Sequence, residues 1–119
     1  MKRDSEYYAH EFADGLLEQQ KAIWDSRDRT YIRKQEKRWS MAVDRLLESD
    51  EGVELLTKLL DHDSPKVSIT AAVYLLDTSA EMKAVEVLQR HASRPEDDLY
   101  AYAAQERLKD WKKQEAQER

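Results

Sequence analysis

Residues 55–76 read LLTKLLDHDSPKVSITAAVYLL, and the fold turns on them. Leu55, Leu56, Leu59 and Leu60 recur at three- and four-residue steps, the spacing of one helix face. Asp61-His62-Asp63 ends that helix. Ser64-Pro65 opens the next, because serine is a good N-cap and proline at the first helical position loses no hydrogen bond. Val67, Ala71, Tyr74 and Leu75 then make a second apolar stripe, and the paired Ala71 and Ala72 let two helix backbones approach closely. The stretch is therefore two short helices joined by a tight polar turn.

The same period extends toward the N-terminus. Tyr8, Phe12, Leu16, Ile23 and Trp24 make a stripe interrupted by Gln20, which predicts a first helix over about 5–25, capped by Asp4 or Ser5. Asp25-Ser26-Arg27-Asp28 breaks it, and Asp28 is placed to cap a second helix over about 29–48. Tyr31, Ile32, Gln35, Trp39, Ala42, Val43, Leu46 and Leu47 supply its inner face. The two form a long helical hairpin. Ser49-Asp50-Glu51-Gly52 is the next break, with Ser49 or Asp50 capping a third helix whose Val53, Leu56, Leu59 and Leu60 point inward. Toward the C-terminus, Thr78 or Ser79 is expected to cap a fifth helix that buries Met82, Val85, Leu88 and Ala92. Pro95 is expected to open a sixth, carrying Leu99, Tyr100, Ala103, Ala104, Leu108 and Trp111. Residues 112–119 are read as a polar tail that frays into solvent.

Composition agrees with an all-helical chain. Among 119 residues there are 2 Gly, 2 Pro and no Cys. So few glycines cannot supply the turns of a multi-hairpin sheet. Without cysteine there is no disulfide, zinc–thiolate site or thiol nucleophile. Gly15 and Gly52 stand too far apart for a phosphate-cradling loop. Gly15 falls inside the first helix, where it costs about 1 kcal/mol against alanine, so close helix packing is expected there. The longest apolar run, 71–76, is far short of the roughly 18 residues of a membrane span. The polar start at 1–6 has no apolar core of a secretory leader. A cytoplasmic location is the expectation.

Between 55 and 108 the pattern partly repeats. Pro65 and Pro95 are 30 residues apart, and each precedes a helix with paired alanines and a leucine. The words L-L-x-x-x-x-P-x-V-x-x-x-A-A-x-x-L resemble those of HEAT-like repeats, with Ser68 standing where that family usually carries a basic residue. Together with the N-terminal hairpin, the layout looks like a small bacterial HEAT-like domain family of unknown function. The resemblance implies one domain over 1–119: a hairpin at 1–48 and two HEAT-like pairs at 49–111, stacked as a short α-α superhelix. It brings no activity with it.

No arrangement of residues marks catalytic chemistry. His10, His62 and His91 lack metal-ligand spacing. Asp61-His62-Asp63 is the best local cluster for a metal, but a helix end with its turn explains it more simply. The 25 carboxylates flank no apolar cleft signature. Ser5, Ser49, Ser64 and Ser79 fall at caps. The expectation is a non-enzyme needing no cofactor and holding no metal.

Charge is uneven along a chain of net charge -5. Arg27, Arg29, Arg33, Lys34, Lys37 and Arg38 form a basic stretch interleaved with Tyr31 and Trp39. Glu48, Asp50, Glu51, Glu54, Asp61 and Asp63 form an acidic one. A non-catalytic protein-binding module follows, in its narrowest form an immunity or antitoxin-type protein that neutralises a basic toxin by electrostatic steering. The candidate contact residues are Asp50, Glu51, Glu54, Asp61, His62, Asp63 and Trp111. Trp111, flanked by Lys109, Asp110, Lys112 and Lys113, is expected to be the most exposed tryptophan, with Trp24 and Trp39 anchoring the core. A nucleic-acid role for the 27–38 face is the alternative, against which the overall acidity weighs. Self-association is a further one; the chain is otherwise a monomer or weak homo-oligomer with no membrane partner.

Overall fold

The computed structural model describes residues 4–94 and 98–118. Within them the chain is all-α, with six helices and no strand: α1 Ser5–Trp24, α2 Arg29–Leu46, α3 Asp50–Lys58, α4 Pro65–Leu75, α5 Glu81–Ala92 and α6 Asp98–Glu118. A single 3-10 turn covers Leu59–Asp61. The helices form two compact units, residues 1–59 and 60–119. α3, read from sequence as the start of the first repeat pair, packs in the first unit against α1 and α2.

Polar residues at the breaks start the helices of the first unit as expected. Asp4 accepts the Tyr7 N–H at 2.9 Å, Asp28 accepts that of Tyr31 at 2.8 Å, and the Ser49 hydroxyl accepts that of Gly52 at 3.0 Å. Each bond satisfies one of the donors that a helix N-terminus leaves without an intrahelical partner. The unit's core is Phe12, Ala13, Leu16, Ala22, Ala42, Val43, Leu46 and Leu56.

Both glycines belong to this unit, and both are buried by close approach. A β-carbon at Gly15 would stand 2.9 Å from that of Trp39, so Gly15 sets the separation of α1 and α2. Gly52 lies within the first turn of α3 rather than in the break before it. There a β-carbon would meet the Leu46 carbonyl oxygen at 2.1 Å.

In the second unit α5 packs against α4 and α6, and α4 also touches α6. Pro65 occupies the first turn of α4 after Ser64, as read from sequence, but the Ser64 side chain makes no capping bond. Its backbone N–H instead donates to His62 Nδ1 at 3.0 Å. Ser68, out of place for a HEAT-like pattern, is buried. Its hydroxyl donates to the Leu60 carbonyl at 2.8 Å and lies 3.3 Å from His91 Nε2, also buried. With its hydroxyl proton committed to Leu60, Ser68 Oγ can only accept from His91 Nε2.

Three sequence expectations fail in this unit. α5 has Ala80 at its cap position with no side-chain bond. Thr78 is used differently: its hydroxyl donates to the Leu75 carbonyl and accepts the Ala80 N–H, closing the turn after α4. The buried face of α5 is Ala84, Val87, Leu88 and His91, not the stripe through Met82 and Val85, and Met82 is 86% exposed. Residues 112–118 do not leave the helix; α6 continues through them to Glu118. The expectation that Pro95 opens a helix falls outside the described residues.

The glycine contacts make a stability prediction. At Gly52 the obstacle is backbone, which cannot swing aside, so Gly52→Ala lowers stability by about 2–3 kcal/mol. At Gly15 the helix-propensity gain of about 1 kcal/mol offsets part of the crowding, so Gly15→Ala costs less. Urea unfolding of the two variants checks the order.

Candidate protein-docking site

The end of the α1–α2 hairpin is built by a specific stop signal. Asp25 caps α1, and Ser26 adopts the left-handed conformation at φ 55°. The Ser26 N–H then reaches the Ile23 carbonyl at 3.2 Å and the Arg27 N–H the Ala22 carbonyl at 2.9 Å. This is a Schellman ending, which satisfies carbonyls that the last turn would leave open. Asp28 starts α2 two residues later, so the chain reverses in four residues, 25–28.

That reversal fixes what the last turn of α1 presents. Ala22 is buried, seven residues after Gly15 and hence on the same face toward α2. Trp24, two residues further, points about 200° away from Ala22. It is 87% exposed, and its neighbour Ile23 is 58% exposed. Both were expected on the core stripe. The interval from Gly15 to Ala22 was the signal that could have corrected this, because a helix that turns Ala22 inward cannot also turn Trp24 inward. Trp39 is only half-buried; its indole N–H donates to Gln19 at 2.8 Å and its ring meets Phe12 edge-on at 6.2 Å. Trp111 is half-buried on α6. Trp24, not Trp111, is the most exposed of the three.

One flank of the hairpin is polar. An open cavity of about 600 Å³ is lined by Asp14, Leu17 and Glu18 from α1 and by Tyr31, Gln35 and Arg38 from α2. Arg38 bridges the helices: its Nε pairs with Glu11, its Nη2 stands 3.8 Å from Asp14, and its Nη1 donates to Gln35 at 3.2 Å. The Tyr31 hydroxyl donates to Glu18 at 3.0 Å, and the Arg27 guanidinium lies 4.2 Å from the Tyr31 ring centre. The charges of this cavity are thus largely matched within it, which suits it to joining two helices more than to activating a substrate.

The residues singled out from sequence fall in both units. In the first, Asp50, Glu51 and Glu54 are exposed on α3, the first two in its opening turn, where the helix dipole favours them. In the second, Asp61 and Asp63 are exposed and His62 is half-buried and engaged with Ser64. Among the described residues no three His, Cys, Asp or Glu side chains converge to hold a metal ion. No described helix is long and apolar enough to cross a membrane. Of the basic stretch, Arg27, Arg29, Arg33, Lys34 and Lys37 are exposed and Arg38 is half-buried.

Comparison with family models, curated proteins and solved structures finds no match to this chain. The functional reading therefore rests on the side chains themselves.

The Tyr31 phenol is held above its ordinary value of 10.0, first by its hydrogen bond to Glu18, then by desolvation and the Glu18 charge, with Arg27 and Arg38 opposing. A phenol raised in the folded state contributes stability that is intact below pH 10 and lost as pH rises through the raised value. Glu18→Gln should bring the Tyr31 pKa back toward 10, read by NMR titration of labelled tyrosine. An unchanged pKa would mean that the bond to Glu18 is not formed in solution.

Proposed function

We propose that the chain is a non-catalytic protein-binding module that docks through the Ile23–Trp24 end of its first helical hairpin. The observation that carries this is the 87% exposure of Trp24 beside a half-exposed Ile23. A single apolar residue on a surface needs no explanation. Two adjacent ones, one a tryptophan, at the rigid end of a capped helix form the kind of anchor that dominates protein interfaces. Covering such a ring removes roughly 150–250 Å² from water, about 4–6 kcal/mol before the costs of association.

A cytoplasmic site of action belongs to the proposal. So does the narrower form, an immunity-type protein against a basic toxin, for which the exposed Asp50, Glu51 and Glu54 are the available contacts.

The test is photocrosslinking in the native host from position 24, with position 89 on α5 as control, followed by binding of the purified adduct partner. We expect a protein adduct from position 24 alone, and a loss in affinity of about 30-fold or more for Trp24→Ala, the size of a hot-spot residue. A partner whose killing the chain suppresses would place it among immunity proteins. Adducts only to nucleic acid or to a second copy of this chain, or unchanged affinity for Trp24→Ala, would overturn the proposal.

A further inference from the structure

α2 carries six basic residues, Arg29, Arg33, Lys34, Lys37, Arg38 and Arg45, against two acidic ones, Glu36 and Asp44. Arg38 pairs with Glu11 and Asp14, and Arg45 pairs with Glu48 at 3.3 Å. The other four are exposed, and among the described residues none of them is joined to a carboxylate. At about 100° per residue these four fall within an arc of about 140°, roughly opposite the buried Gln35 and Ala42. Arg29, Arg33 and Lys37 make an i, i+4, i+8 row in it, with steps of about 6 Å along the axis. Through the first three turns no carboxylate enters the arc; Glu36 stands just past its edge. Met41, 55% exposed, continues the same face one turn after Lys37, and the exposed Asp44 closes it.

Two members of this face are not explained by α2 itself. Arg29 is the first residue of the helix, where the dipole disfavours a cation, and the first turn holds no acidic residue. Asp28, just before it, is committed as the cap. Helix stability alone selects an acidic or neutral residue at position 29, so the arginine there calls for a reason outside the helix. Met41 is an apolar side chain left in water, with Lys37 and Lys34 at i−4 and i−7 on the same side. Alone it would need no explanation. At the end of a row of unpaired cations it turns a charged face into an amphipathic one.

We infer that this face of α2 is a second docking surface whose occupant is an acidic amphipathic helix of a partner protein. Carboxylates at i, i+4 and i+8 of that helix face Arg29, Arg33 and Lys37, and an apolar residue one turn further covers Met41. A helix repeats its side chains at the same step as α2, so the carboxylates meet the cations without either backbone bending. The surface is separate from the hairpin end. Trp24 points away from the buried face of α1, and the cation row points away from the buried face of α2. The inference therefore does not rest on a docking role for Trp24. Nucleic acid fits less well. Four cations release few counterions, Glu36 and Asp44 border the row, the chain carries net charge -5, and a phosphate backbone makes no use of Met41.

Fluorescence anisotropy with the full chain tests the inference. The probe is a labelled, helix-forming peptide of about 20 residues with Glu at i, i+4 and i+8 and Leu at i+12 of one face. The controls are a peptide of the same composition with Glu and Leu scattered around the helix, and a single-stranded RNA of about 20 nucleotides. We expect the patterned peptide to bind about fivefold or more tighter than the scattered one, and to weaken with salt. R29E/R33E/K37E should lose about tenfold or more and Met41→Ala about threefold, both with unchanged circular dichroism. Arg29→Glu alone should weaken binding while raising the urea midpoint, a combination that a merely structural arginine would not give. Trp24→Ala should bind the peptide as the unaltered chain does. The inference is overturned if the patterned peptide fails to bind at low salt, if the scattered peptide or the RNA binds as tightly, or if the triple variant or Met41→Ala binds unchanged. A loss in Trp24→Ala as large as that in the triple variant would place the peptide at the hairpin end and overturn it as well.

Discussion

Gly15 lets α1 and α2 come together until there is no room for a β-carbon against Trp39, and the rest of the first unit follows from that contact. Trp39 is held by the Phe12 ring on one side and by the Gln19 side chain at its indole nitrogen. With three residues of α1 engaging one of α2, neither helix can rotate or slide without breaking a hydrogen bond or a ring contact. The rotation of α1 is thereby set along its whole length. Ala22 must face inward, Trp24 must face outward, and the left-handed Ser26 reverses the chain before the exposed face can be covered.

The polar flank serves the same end in a different way. Arg38 reaches Glu11, Asp14 and Gln35, and Tyr31 reaches Glu18, so carboxylates of α1 meet a cation and a hydroxyl of α2 along one seam. These groups are partly exposed, and each contributes little to stability by itself. Their arrangement joins the two helices along one flank. The contrast with Arg29, Arg33, Lys34 and Lys37 is instructive. One set of charges on α2 is consumed within the unit, and another on the same helix is left to the solvent.

Much of the fold was legible in sequence because helix starts are written in local chemistry. Asp28, Ser49 and Pro65 were each identified from their own side chains and the residues just after them, and the packing role of Gly15 from its position inside a helix. What escaped was whatever depends on neighbours. α5 begins after Ala80 with no capping side chain, so nothing local marked its start, and its buried face is turned away from the stripe through Met82. Ile23 and Trp24 are apolar at plausible spacing, but the last turn of a helix is buried only if another element reaches it. Trp24, on which the proposed docking surface rests, is exposed, and sequence placed it in the core. Asp50 and Glu51 were read as part of a partner surface, although their place in the first turn of α3 already favours them.

The central claim is that the packing of α1 on α2 holds Trp24 out in water. The difference in acrylamide quenching between the unaltered chain and Trp24→Phe reports on Trp24 with Trp39 in place, and measures its exposure directly. The account predicts quenching close to that of a tryptophan in an unfolded peptide while the circular dichroism stays fully helical. Strong protection from acrylamide in the folded monomer would contradict it, since α1 would then be rotated from the phase that Gly15 and Trp39 impose.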